Sequence, residues 1–136
     1  FGVDGVAADM EMILPAAESL DSLAMAWCCT NLAICADGAG DYERALELME
    51  RAAAVPHERN ALLHAVVTSW HGWELSMLGR HDEAGAIWKR GLAHAEAANH
   101  LTAKAYMLSK VGVWADDVGD SDLALRCHRD SAEVFS

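Results

Sequence analysis

Gly40-Asp41-Tyr42-Glu43-Arg44-Ala45 decides the architecture, because the same pattern returns twice further along the chain. It recurs as Gly79-Arg80-His81-Asp82-Glu83-Ala84 and as Gly119-Asp120-Ser121-Asp122-Leu123-Ala124, so the period is 39 residues and then 40. Twelve residues before each closing Ala stands another small residue: Ala33, Gly72 and Gly112. A doubled spacing of this kind marks an internal repeat, in which each unit stacks on the next to bury a shared core.

Working outward, the residues between these turns read as helices. Leu23 to Ala36, Ala61 to Leu78 and Leu101 to Ala115 are rich in apolar helix formers and contain no Pro. Gly38, Gly40, Gly79 and Gly119 are placed to supply the left-handed conformation that ends a helix, and Asp41 and Asp120 to cap the next one. The small residues have a steric purpose. Where two antiparallel helices cross closely, a large side chain on either would hold the backbones apart, so Ala or Gly is expected on both at the crossing point. The prediction is an all-α, right-handed superhelical stack of antiparallel helix pairs with about seven helices. Its divisions are a leading half-repeat helix over 1–20, then units over 21–56, 57–98 and 99–136. In the leading segment Asp4, Ala8 and Met12 match Asp41, Ala45 and Met49, and Pro15 ends or kinks the helix.

This pattern resembles the tetratricopeptide repeat. Leu32-Ala33, Ala45, Met49 and Pro56 match its signature in the first unit, Gly72, Ala84 and Trp88 in the second, and Val111-Gly112 and Ala124 in the third. His71 and His128 depart from it, as do Cys29, Thr68 and Leu108 where the signature has Trp. The family repeats at about 34 residues, so each unit here is longer. The excess lies between one unit's second helix and the next unit's first, which predicts lengthened helices there. Lengthened repeats of this kind are similar to those in large bacterial transcription activators and signalling ATPases.

Composition narrows the function. The 136 residues carry 10 Lys and Arg against 21 Asp and Glu, a net charge of −11, which disfavours general attraction to nucleic acid or anionic lipid. Residues 1–43 hold 8 acids and no Lys or Arg, residues 44–115 hold 7 acids and 8 bases, and the remainder 6 and 2. The acidity therefore sits at the two ends. Four cysteines, two of them adjacent at 28 and 29, are not the framework of a small secreted scaffold and suit a reducing cytoplasm. No stretch approaches the ~20 apolar residues of a membrane span. The opening Phe1-Gly2-Val3-Asp4 has neither an initiator Met nor the basic start of a signal peptide, as expected of a segment from a longer protein.

Three constellations bear on chemistry. Asp116-Asp117-Val118-Gly119-Asp120 has the carboxylate spacing of a magnesium-diphosphate motif, but it coincides with a turn rather than with the wall of a deep cavity. His57, His64 and His71 recur every seven residues, about 10.5 Å per step along one helix, too far apart to share an ion. No cofactor and no catalytic residue is expected. The third constellation is a stripe repeated on the three first helices: Trp27, Thr30, Asn31 and Ile34; Val66, Ser69, Trp70 and Trp73; Tyr106, Ser109, Lys110 and Val113. Spacing of 0, 3, 4 and 7 sets each group on one helical face. In the resembled family that face lines a concave groove, which implies binding of a protein, a peptide or a small effector. Trp70 and Trp73 could equally pack between repeats. Two rival roles stay open: a homo-oligomeric scaffold, and a metal-responsive sensor using Cys and His.

Overall fold

A computed structural model describes residues 22–134, so the expected leading helix over 1–20 lies outside the described residues. The described residues form six helices and no strand: α1 (Ser22–Gly38), α2 (Tyr42–Ala54), α3 (Ala61–Met77), α4 (His81–Ala97), α5 (Leu101–Asp117) and α6 (Ser121–Val134). The described residues are an all-α stack of three antiparallel hairpins.

The repeated Gly motif builds the turn inside each hairpin. Gly40, Gly79 and Gly119 have φ of +80°, +81° and +83°. The amide that follows each of them donates back five residues to close the helix end: Asp41 to Ala36, Arg80 to Leu75 and Asp120 to Ala115. Gly38 is different, because α1 runs through it and its φ is not positive. Asp41 and Asp120 then accept from the amides of Arg44 and Leu123, both at 3.1 Å, as N-caps. The junction of the second and third units uses the same turn, with Asn99 at φ 52° and His100 as the cap of α5.

Each helix packs on its neighbours in sequence, and the first helices also touch across units, α1 on α3 and α3 on α5. Second helices do not reach one another. A stack whose rods touch in one layer and stand apart in the other curves toward the touching layer, so α1, α3 and α5 form the inner side. Their composition fits. Over its length α1 has one charged residue, Asp37, and α3 has one, Glu74. A helix that is apolar nearly all round must be covered on more than one face. By contrast α2 keeps a charged outer face while Ala45, Leu46, Leu48, Met49 and Ala52 are buried.

Small residues at the crossings let the helices approach. A methyl group on Gly72 would overlap the indole of Trp88, and one on Gly112 would meet the ring of His128 at 2.7 Å. The large residue four positions after the repeated Ala therefore sits in the space the Gly leaves. Ala33 and Ala45 are fully buried in the first unit, which uses Ala at both positions. Gly85 does the same between units, where its missing side chain admits Trp114.

The longer period is distributed unequally. Between the second and third units it lengthens α4 and α5, each of 17 residues. Between the first and second units α2 stops after 13 residues, and the excess forms the connection 55–60. Pro56 explains the difference: the residue before a proline is forced to extended backbone, and Val55 has φ −84° and ψ 136°.

Candidate functional site

The inner layer carries a recess between α3 and α5. Ser69, Trp70 and Trp73 from α3 and Tyr106 and Lys110 from α5 enclose about 250 Å³. All five belong to the stripe of the second and third units. Trp70, Trp73 and Tyr106 are half-buried, so one part of each ring packs into the protein and another faces the recess. Groove and core are thus not exclusive roles for these indoles. The Lys110 ammonium lies 5.7 Å from the centre of the Trp73 ring and 5.9 Å from that of Tyr106. Burial lowers its pKa from the ordinary lysine value.

Other stripe residues are placed differently. Thr30 is buried and its hydroxyl donates to the Ala26 carbonyl at 2.8 Å; Ser109 donates to Tyr106 O at 2.7 Å, and the Asn31 amide to Trp27 O at 3.0 Å. Each of these three polar groups donates to its own helix one turn back. Trp27 and Val113 are exposed, and Ile34 and Val66 half-buried, outside the recess. Asp116 and Asp117 end α5 and residues 118–120 form the turn after it, all of them exposed, with Asp116 against His128 at 3.1 Å.

Beneath the recess, Trp73 ties α3 to α1. Its indole N–H donates to Asp37 Oδ1 at 3.0 Å. The neighbouring Glu74 has no exposed surface, and neither carboxyl oxygen finds a partner of ordinary hydrogen-bond geometry. Burial first, and then the facing Asp37 carboxylate, push its pKa up to about 8. Burial and the neighbouring Asp37 charge therefore favour the protonated form of Glu74 at neutral pH. A buried acid next to the recess had no signal in the sequence, where it reads as one charge on an apolar helix.

The histidines also correct the spacing argument. His57 is not on a helix; it lies in the connection 55–60, and its Nδ1 is 3.0 Å from Nδ1 of His64. Helical rise therefore does not separate them. Even so, among the described residues no three His, Cys, Asp or Glu side chains are arranged to hold a metal ion, and none of the four cysteines is in a disulfide.

No family model matches the chain, and no curated protein shows significant similarity to it. No helix among the described residues is long and apolar enough to cross a membrane.

Proposed function

We propose that this chain is a non-catalytic recognition module of the tetratricopeptide type, which holds a protein or peptide segment along its inner layer. The observation that carries the reading is the recess itself: aromatic residues at repeated positions of two successive first helices meet around one apolar space. Rings that are half-buried in the protein are already ordered, so they bind without paying much side-chain entropy. The anchor is an apolar or aromatic side chain, and Lys110 offers a hydrogen-bond donor beside it. A small effector with a flat apolar body fits the same space. In this reading the parent is a cytoplasmic bacterial regulator, such as a transcription activator, an association that rests on the long period alone.

Selection of displayed peptides on the folded chain tests this. Selected sequences should share an apolar or aromatic anchor, and Tyr106→Ala should weaken them by at least about tenfold, or about 1.4 kcal/mol, with helicity unchanged by circular dichroism. Peptides that bind equally well to Tyr106→Ala and Trp70→Ala would refute the recess as the anchor site.

Self-association keeps one specific observation in its favour. On the terminal helix α6, Leu125 is 69% exposed, whereas Leu123 packs into the core. Light scattering over a concentration series decides it: a strictly monomeric chain removes this reading.

A further inference from the structure

The connection 55–60 joins the first unit to the second, and imidazole rings hold it down. His57 is 4% exposed, and its ring centre lies 4.9 Å from that of His64 on α3. On its other side the His64 ring packs on His94 of α4, centre to centre 4.0 Å and tilted by 34°. The three rings form a continuous bridge from the connection, across α3, to α4.

Protonation is the one chemical change this bridge cannot absorb. The facing Nδ1 atoms of His57 and His64 can share a single proton, one donating and the other accepting. Placing a proton on both would aim two N–H groups at each other. His57 Nε2 is buried without a hydrogen-bond partner, so no acceptor awaits the N–H that a charged His57 ring would need to satisfy there.

The surrounding groups are mixed in sign. Glu58, in the connection itself, accepts from the His57 amide at 3.1 Å and favours charging. Arg90 of α4 and His71 of α3 line the same cleft of about 310 Å³, where the Arg90 charge acts on His71, while α2 contributes to that cleft only Ala53. Further along the same face, Glu50 of α2, with Arg80 and Glu83, surrounds His71 rather than the three rings.

We propose that the pair of His57 and His64, packed on His94, is a proton-operated latch: the neutral pair clamps the connection onto α3 and, through the His94 ring, α4, and one added proton releases it and loosens the first unit from the second. Burial, then His94 and His57, lower the His64 pKa from 6.5 to about 4, and burial also lowers that of His57. The sign follows from linkage. A base whose pKa is depressed in the closed state is protonated first in the open state, so closure is fully favoured above about pH 6.5 and is lost as the pH falls toward 4. Trp27 and Ile34 lie on one side of this joint and Val66 and Trp70 on the other, so release alters the inner face.

Hydrogen exchange of the whole chain, corrected for the intrinsic pH dependence of exchange, reads the latch directly. Protection of the amides in 55–64 should fall by at least about tenfold between pH 7 and pH 5, while α5 and α6 stay protected. His64→Phe keeps a ring in place without a titrating group and should abolish the response. An unchanged acid response in His64→Phe, or pH-independent protection in the wild type, would overturn the proposal. If His64→Phe does not fold, the imidazole C–H resonances of the wild type take its place. A His64 midpoint near 4 that coincides with shifts in residues 55–60 supports the latch, and one near 6.5 without them refutes it.

Discussion

Replacing Glu74 by Gln should stabilise the protein at neutral pH, an unusual expectation for a change at a fully buried site. The reasoning follows the proton. In the unfolded chain a glutamate ionises near 4.5, whereas in the fold it holds its proton up to about 8. Below 4.5 both states are protonated and the group is silent. As the pH rises through the interval, folding must keep a proton that the unfolded chain has already released, and stability falls by about 1.4 kcal/mol per pH unit. From 4.5 to 7 this sets a ceiling of about 3 kcal/mol, and local relaxation and water entry bring the expectation to about 1–2 kcal/mol.

Gln has the shape of the neutral acid and can still donate toward Asp37, so the packing against α1 is preserved and only the titration is removed. Urea denaturation at pH 4.5, 7 and 8.5 is the measurement, with the slope checked to be the same for both proteins. The two proteins should coincide at pH 4.5, and the variant should be the more stable at pH 7 and by a wider margin at pH 8.5. A variant of equal or lower stability at pH 7, with the wild-type pH profile retained, would show that Glu74 is not held neutral by the fold.

Other expectations concern the frame. Trp88→Ala removes the indole that fills the space over Gly72 and leaves the Ser69 carbonyl without its 3.1 Å donor, so denaturation should show a loss of about 3–5 kcal/mol. Two glycines with equally open surroundings should diverge. Gly79→Ala, at φ +81°, should cost about 1 kcal/mol, whereas Gly38→Ala, at an ordinary helical position, should be neutral or gain up to about 1 kcal/mol, both read as shifts of denaturation midpoint. Asp41→Ala removes the side-chain acceptor at the start of α2 and should cost about 1 kcal/mol in the same assay.

What the sequence determined by itself is local. A glycine forced to positive φ, an aspartate one residue later and small residues where the helices of a hairpin cross all act within one unit. The triplicate Gly40, Gly79 and Gly119, and the small residues Ala33, Gly72 and Gly112 at the crossings, were therefore legible from spacing, whereas the seating of Trp88 over Gly72 was not. The stop of α2 at Val55 was legible too in Pro56, but where the extra residues of the period would go was not.

Tertiary structure alone decided how units meet. The recess exists because α3 and α5 lie side by side, and it selects Trp70 and Trp73 with Tyr106 and Lys110 while the hydroxyls of Thr30 and Ser109 turn to their own helices. Asp37 reaches Trp73 and faces Glu74, His57 reaches His64 and His94 lies beneath it, and Gly85 admits Trp114, all across helices whose relative position no local rule sets. Helical spacing fixes direction around one axis. Which side chains converge, and which titrating groups lose water, depends on the distance and angle between two axes, and those follow from packing the whole stack.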